Sequence, residues 1–141
     1  MLRNYQDKAI ISINEKLEIH NKCLIIMFCG SGKTRIMFHK MMMDLNNLSV
    51  IVFPSISLIT QFNADYVKNE LWSKHVSQYE FMSICSNNEI NDDDILYTTN
   101  GSIIRNFLKR KNRKIISITY HSLKTLIAAI TKTQTMIDLI I

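Results

Sequence analysis

The apolar positions of this sequence follow two different periods. Tyr5, Ala9, Ile13 and Leu17 recur every four residues, which predicts an amphipathic helix that ends at Asn21. Further along, short segments are apolar on both faces, which is the pattern of buried parallel strands. We predict strands at 23–28, 48–53, 81–85, 95–99, 114–118 and 136–141.

Helical segments are predicted between most of these strands, at 33–45, 58–72, 102–109 and 123–130. The alternation of strand and helix predicts an α/β fold with a doubly wound, mostly parallel sheet. In such folds the ligands bind at the carboxyl ends of the strands. At 141 residues the chain is the size of one domain, so we treat 1–141 as a single domain or part of one.

The segment MFCGSGKT, which starts at Met27, carries the clearest chemical signal. Gly30, Gly32, Lys33 and Thr34 fit the P-loop pattern G-x-x-x-x-G-K-[ST], although Met27 replaces the first glycine. The glycines let backbone N–H groups turn towards phosphate oxygens, and the start of the next helix adds its dipole. Lys33 can reach the β- and γ-phosphates, and the Thr34 hydroxyl can bind the magnesium ion that bridges them. We therefore predict a nucleoside triphosphate site.

Charge and composition narrow the possible classes of protein. The formal net charge is +5, and the basic run KRKNRK at 109–114 suits a polyanionic partner or is simply a solvated helix end and turn. No apolar run approaches the roughly 20 residues of a membrane helix, and the N-terminus carries no secretory signal. We expect an intracellular protein of the cytoplasm, nucleus or virion that does not bind a membrane. Three cysteines without a C-x-x-C pair predict neither a disulfide framework nor a zinc site.

Two segments near the N-terminus resemble motifs of a known family. With Met27 in first position, the P-loop resembles motif I of superfamily 2 helicases and translocases, particularly the motor subunits of type I restriction enzymes and their viral relatives. LRNYQDKAI at 2–10 resembles the Q motif, in which the glutamine reads the adenine edge. The resemblance implies a RecA-like P-loop NTPase lobe that uses ATP and Mg²⁺, with Lys33 and Thr34 catalytic and Thr34 the magnesium ligand. The implied nucleotide-binding residues are Gln6, Cys29, Gly30, Ser31, Gly32, Lys33, Thr34 and Arg35.

Three later segments resemble nucleic-acid-binding motifs of the same family. FPSISLITQF at 53–62 resembles motif Ia, YTTNGSIIRNFL at 97–108 resembles T-T-(D/N)-x-x-x-I-x-x-F-L, and ITYHSL at 118–123 resembles T-Y-x-S-L. The resemblance implies contacts to nucleic acid from Pro54, Ser55, Ser57, Thr98, Thr99, Thr119, Tyr120 and Ser122, and it favours DNA over RNA without deciding between them. The residues alone leave simpler roles open, namely helix capping for Ser57 and packing for Tyr5 and Tyr120.

The resemblance also implies that the chain is a partial lobe. Family members continue from a strand like 136–141 into D-E-A-H or D-E-A-D, and this sequence contains neither. Asp138 begins the predicted strand, and the acidic run 92–94 precedes one, so both lie at the wrong end to replace those carboxylates. We expect a sheet that is incomplete at its C-terminal end, a missing remainder with the acidic box and the second motor lobe, and no hydrolysis by these residues alone.

Other functions stay open from the sequence. A truncated or split-gene product could bind only nucleotide or nucleic acid, and a different P-loop NTPase or a kinase is a further alternative. The abundance of Ile, Asn and Lys, whose codons are rich in A and T, points to an AT-rich genome such as that of a large DNA virus.

Overall fold

The structure is a computed structural model that describes residues 2–43, 46–69, 79–86 and 94–141. It divides into two compact units, 1–44 and 45–141, which we call the N-terminal unit and the C-terminal unit. That both units form one partial helicase lobe stays a prediction.

The N-terminal unit contains two helices, α1 (Asn4–Ile19) and α2 (Lys33–Met43). Its core consists of Ile10, Ile13 and Ile36, and Leu2, Ala9, Leu17 and Met27 pack against it. The period of four in the sequence therefore predicted the buried face of α1 correctly. Tyr5 is an exception, because 36% of its surface is exposed and it does not pack in this core.

The predicted buried strand at 23–28 is wrong. This segment forms no strand. Leu24, Ile26 and Phe28 are 84%, 86% and 71% exposed. An apolar run can be buried on both faces only if neighbouring strands and helices cover it. Within the N-terminal unit, Met27 packs against the core and the Phe28 ring lies 6.4 Å from the Tyr5 ring between centroids, so only part of the segment is covered there.

The C-terminal unit contains a five-stranded parallel sheet with the strand order β3-β2-β4-β1-β5. The strands are β1 (Leu48–Phe53), β2 (Tyr79–Ile84), β3 (Leu96–Tyr97), β4 (Arg113–Thr119) and β5 (Leu139–Ile140). The helices are α3 (Ile56–Phe62), α4 (Gly101–Leu108) and α5 (Leu123–Thr133). A π-helical turn, Asn63–Val67, extends α3, and a 3₁₀ turn, Tyr120–Ser122, precedes α5. The predicted α/β fold with a mostly parallel sheet is confirmed.

One face of this sheet packs against α4 and α5. Alternate strand residues such as Val50, Met82 and Ile116 form a buried core with Phe107 of α4 and Leu126 of α5. The intervening strand residues point to the opposite face, because side chains alternate along a strand. On that face the Phe53 ring lies 5.3 Å from the Phe62 ring of α3, measured between centroids. The sheet therefore has helices on both faces.

Several helices and strands begin or end at other residues than predicted. The Asn100 side chain accepts hydrogen bonds from the N–H groups of Ser102 and Ile103 at 2.9 and 3.4 Å, so α4 begins one residue before the predicted start. The strand predicted at 136–141 is short, but the Ile141 N–H still donates to the Val50 carbonyl at 2.9 Å. The strand predicted at 95–99 is reduced to two residues. The end of the predicted helix at 58–72 lies outside the described residues.

The described helices include none with the length and apolarity required to cross a bilayer. Cys23 and Cys29 are exposed and Cys85 is buried, and all three are free thiols.

Candidate nucleotide and nucleic-acid sites

The predicted P-loop lies at the start of α2. Gly30 and Gly32 have φ angles of 76° and 79°, in the left-handed region that favours glycine. The Gly32 carbonyl accepts hydrogen bonds from the N–H groups of Arg35 and Ile36 at 3.0 and 3.2 Å, and so begins the helix. Lys33 and Thr34 are the first two residues of α2, and their N–H groups have no acceptor within the helix. Left-handed glycines before a helix start are typical of phosphate-binding loops, and the binding of phosphate by this loop stays a prediction.

The loop is held from α1 through the Ser31 carbonyl. The Tyr5 hydroxyl donates to this oxygen at 3.0 Å and the Gln6 Nε2 amide donates to it at 2.9 Å. The Gln6 Oε1 atom accepts the Arg3 N–H at 2.9 Å, as the third helical residue of a capping box does. Gln6 is only 3% exposed, so both ends of its amide are occupied inside the N-terminal unit. The adenine-reading role implied for Gln6 stays a prediction, and in this structure its amide fixes the loop.

The Lys33 ammonium lies against the loop backbone. Its Nζ atom donates to the carbonyl oxygens of Met27 and Phe28 at 3.1 and 3.0 Å. The side chain is exposed, and an ammonium has three donors, so one remains for a further acceptor. A bound phosphate would compete with these two carbonyl oxygens for the same point charge.

The remaining loop residues fit a phosphate and magnesium site to different degrees. Cys29 is exposed, and Thr34 and Arg35 are half-buried. Ser31 is 1% exposed, and its Oγ atom has no hydrogen-bond partner among the described residues. Magnesium usually keeps several waters and is bound by substrate phosphates with one or two protein ligands, so a single hydroxyl from Thr34 fits. The described residues contain no cluster of three His, Cys, Asp or Glu side chains that could hold a metal by itself.

The predicted nucleic-acid residues gather at one edge of the sheet. Pairing of Phe53 with Thr119, and of Ser83 with Tyr97, brings the carboxyl ends of β1, β4, β2 and β3 to the same side. Strands lie about 4.8 Å apart, so these four ends span roughly 14 Å. All eight predicted contact residues follow or end one of these strands, or belong to the turn and helix directly after it.

Exposure differs sharply among these eight residues. Tyr120 is 59% exposed, so it does not belong to the core of this unit. Thr119 and Ser122 are 5% and 8% exposed, and their hydroxyl oxygens lie 3.1 Å apart. These two residues shape the turn that presents Tyr120. Pro54 and Thr99 are exposed, and Thr98 is half-buried.

The two serines of the β1–α3 turn form a pair. Their Oγ atoms lie 3.1 Å apart. Ser55 is the residue that precedes α3, and Ser57 lies inside the helix, so the capping role considered for Ser57 is wrong. Neither side chain caps a backbone N–H of α3, which leaves the first N–H groups of the helix without side-chain acceptors.

Two features of the sites could not be found in the sequence. Tyr5 contacts the P-loop through its hydroxyl, and only its position beside Gln6 hinted at such a role. Asn63 is 3% exposed, and its amide donates to the Ser83 hydroxyl at 2.9 Å and to the Tyr97 hydroxyl at 2.7 Å. The Ser83 and Ser117 Oγ atoms are 2.7 Å apart, which extends this chain of polar groups across β2 and β4. No spacing in the sequence marks Asn63.

The fold and the sites together define a class of protein. The C-terminal unit is a mostly parallel α/β sheet with helices on both faces, and the N-terminal unit carries the P-loop sequence. The profile of the family described as type III restriction enzyme, res subunit, matches residues 1–141. The chain belongs to this family, and it is therefore a helicase-family domain.

A solved structure has a similar fold. It is described as a nuclease-deletion mutant of the type ISP restriction-modification enzyme LlaGI in complex with a DNA substrate mimic. The TM-score is 0.79 and the identity is 22%, over 99% of this chain and 15% of that one. This chain thus spans about a seventh of the length of that enzyme. No curated protein sequence matches it.

Proposed function

We propose that this chain is the ATP-binding part of a motor that moves along nucleic acid, and that the intact motor couples ATP hydrolysis to this movement. The observation that carries the proposal is the P-loop conformation, with two left-handed glycines followed by Lys33 at the start of α2. Membership of the family supports ATP with Mg²⁺ as the ligand. A motor of this kind would act wherever its nucleic acid lies, in a cytoplasm, nucleus or virion.

In this proposal the residues of the loop have separate tasks. The N–H groups of Gly30 to Thr34 bind phosphate oxygens, and the Lys33 ammonium moves from two loop carbonyls to the β- and γ-phosphates. The Thr34 hydroxyl binds magnesium, which would neutralise phosphate charge when bound. Cys29, Ser31 and Arg35 flank the cradle, and Tyr5 with Gln6 keeps it in place.

We propose that these 141 residues alone bind nucleotide without turning it over. Hydrolysis in this class needs an Asp near magnesium and a residue that positions the attacking water. The Asp138 carboxylate is engaged elsewhere, because it accepts the N–H groups of Asn47 and Leu48 at 2.7 and 3.0 Å at the amino end of β1. The carboxylates would come from a remainder that carries the acidic box and the second lobe.

Calorimetric titration with MgATP tests the nucleotide site. We expect saturable binding to the wild type and at least a tenfold loss in Lys33→Ala, which removes a charge-assisted contact worth about 1.5–3 kcal/mol. Lys16→Ala, an exposed lysine of α1, is the matched control and should bind as the wild type does. Equal affinity in Lys33→Ala and Lys16→Ala would overturn the assignment.

The effect of Gln6→Ala on the binding of different phosphate ligands separates two roles of Gln6, holding the loop and reading adenine. If Gln6 acts only by holding the loop, binding of ATP, GTP and inorganic tripolyphosphate weakens by the same factor, because all three need the cradle. If Gln6 also reads adenine, the loss for ATP exceeds the loss for tripolyphosphate. Unchanged binding of all three ligands would contradict both roles.

The second part of the proposal is contact with nucleic acid at the carboxyl edge of the sheet. Tyr120 is the one strongly exposed aromatic residue among the eight predicted contacts, and a ring in this position can stack on a base. Ser55 and Ser57 lie beside unsatisfied N–H groups at the start of α3, where phosphate can bind.

Fluorescence anisotropy with single-stranded DNA and RNA of one sequence tests this contact. Tyr120→Ala should weaken binding about fivefold to tenfold or more, since stacking contributes about 1–3 kcal/mol per base. Ile127→Ala, an exposed residue of α5, is the control. We expect DNA to bind more tightly than RNA. Binding that does not change in Tyr120→Ala would remove this edge from the proposal.

A further inference from the structure

The basic loop, residues 109–114, has no task in the proposed function. It connects the end of α4 to the start of β4 and has the sequence KRKNRK. Five of its six side chains are basic.

The basic loop lies at the opposite edge of the sheet from the predicted nucleic-acid residues. β4 begins with Arg113 and ends with Thr119, and a strand rises about 3.3 Å per residue, so roughly 20 Å separates the two edges. Arg113 pairs with Tyr79 and Lys114 pairs with Leu48, the first residues of β2 and β1. The loop therefore cannot be part of the carboxyl edge.

A carboxylate and a backbone carbonyl fix the shape of the loop. Glu80 accepts the Arg110 guanidinium at 3.1 Å and the Asn112 amide at 2.9 Å. The Lys114 ammonium donates to the Asn112 carbonyl at 2.8 Å, and this lysine is only 6% exposed. Burial lowers the pKa of Lys114, and the Glu80 charge opposes that shift. Side-chain and backbone groups of the loop are thus positioned before any partner binds.

Surplus positive charge remains on the surface of this fixed loop. Lys109 and Lys111 are exposed and have no ion pair among the described residues. The Arg110 side chain is 55% exposed although it pairs with Glu80, and the Arg113 guanidinium lies 6.0 Å from the centre of the Tyr79 ring. Glu80 is the only carboxylate in contact with the loop within the described part of the chain.

The surface of the loop suits phosphate better than an acidic protein. Protein interfaces are centred on apolar and aromatic anchors. The apolar residues beside the loop are buried: Phe107, Leu108 and Tyr79 are 3%, 4% and 9% exposed. The exposed part consists of long cationic side chains and one amide, which are the groups that bind a sugar-phosphate backbone without reading its sequence.

We propose that the basic loop is a second, sequence-independent contact for the phosphate backbone of nucleic acid. It holds a part of the strand or duplex that does not lie on the carboxyl edge. The inference shares with the proposed function only the class of partner, and it requires neither nucleotide binding nor contact through Tyr120.

The salt dependence of DNA binding by the full 141-residue chain tests this proposal. The variant is Lys109→Ala/Lys111→Ala, and the probe is a fluorescent DNA duplex titrated at several salt concentrations. Each phosphate contact contributes about 0.9 to the magnitude of the slope of log binding constant against log salt concentration. The slope of the variant should therefore be shallower by roughly two, and its affinity at low salt should be lower by roughly tenfold. The charge-preserving Lys109→Arg/Lys111→Arg should keep the wild-type slope.

Two further variants separate this contact from a general effect of net charge and from the carboxyl edge. Lys8→Ala/Lys16→Ala lowers the formal charge of +5 by the same two units on exposed positions of α1, and should leave the slope nearly unchanged. Tyr120→Ala should act independently of the loop variant, because the two sites are about 20 Å apart and distant effects add. Loss in the loop variant with none in Tyr120→Ala would support the loop and contradict the carboxyl edge.

Three results would overturn the proposal. The first is an equal fall in slope for the α1 control, which would show that net charge alone matters. The second is an unchanged slope in the loop variant whose urea unfolding curve matches the wild type. The third is competition by polyglutamate of equal charge that is as strong as competition by DNA, which would assign the loop to an acidic protein.

Discussion

The two glycines of the P-loop offer a matched pair of substitutions. Gly30 and Gly32 both have a left-handed φ, 76° and 79°, so alanine meets backbone strain at both positions. That strain is about 1–2 kcal/mol. A Cβ at position 30 would have nothing within 4 Å, whereas a Cβ at position 32 would lie 2.5 Å from Gln6 Nε2. The pair therefore isolates the contact between the loop and α1.

The extra cost at position 32 follows from the hydrogen bonds of Gln6. Its amide can yield to a new Cβ only by leaving the Ser31 carbonyl or the Arg3 N–H, and the residue is 3% exposed. Leaving a buried polar group unsatisfied costs about 1–3 kcal/mol. We expect Gly30→Ala to lower the free energy of unfolding by about 1–2 kcal/mol and Gly32→Ala by about 2–4 kcal/mol.

Urea unfolding followed by far-ultraviolet circular dichroism measures both costs. A double-mutant cycle with Gln6→Ala completes the test, because in that background Gly32→Ala should cost no more than Gly30→Ala. A coupling free energy near zero between positions 6 and 32, or equal costs for the two glycines in the wild-type background, would refute the reasoning.

Two further predictions concern buried groups of the C-terminal unit. Ser83→Ala should destabilise the protein by about 1–3 kcal/mol, because it interrupts the chain of polar groups from Asn63, whereas Ser49→Ala should be nearly neutral, since the buried Ser49 hydroxyl has no partner among the described residues. Urea midpoints compare the two variants, and an equal loss in both would contradict this. Burial raises the pKa of the Cys85 thiol above its ordinary value of 9.0, so the unfolded chain releases this proton first and stability should fall as the pH rises past 9.0. In urea midpoints measured against pH, Cys85→Ala should show a smaller decrease above pH 9.0 than the wild type, whereas Cys23→Ala, at an exposed position, should show the same decrease as the wild type. An equal decrease in both variants would exclude the Cys85 thiol as the cause.

The sequence predicted the central strands well for a physical reason. β1 and β4 are apolar on both faces and lie inside the sheet with helices above and below, so local pattern and burial agree. The segment 23–28 has the same pattern, but Leu24, Ile26 and Phe28 are exposed. The apolar pattern of a segment shows which side chains it is able to bury. Whether these side chains are buried depends on the elements that surround the segment.

The candidate sites were predictable to different extents. The P-loop was predicted from residue types with fixed spacing, and the structure gives Gly30 and Gly32 left-handed φ angles, whereas nucleotide binding stays a prediction. The contact of Tyr5 with the Ser31 carbonyl joins residues 26 positions apart, and no short motif records it. The burial of Thr119 and the exposure of Tyr120 depend on the geometry of one turn, which residue types alone do not determine.

The central claim is that nucleotide phosphates bind in the cradle between Cys29 and Thr34. Backbone amide resonances, followed by ¹⁵N–¹H correlation spectra during titration with MgATP, test it residue by residue. We predict large, saturable shifts for the amides from Gly30 to Thr34, with a midpoint that matches calorimetry, and their loss in Lys33→Ala. Saturable shifts that avoid this loop, or that persist in Lys33→Ala, would contradict the account.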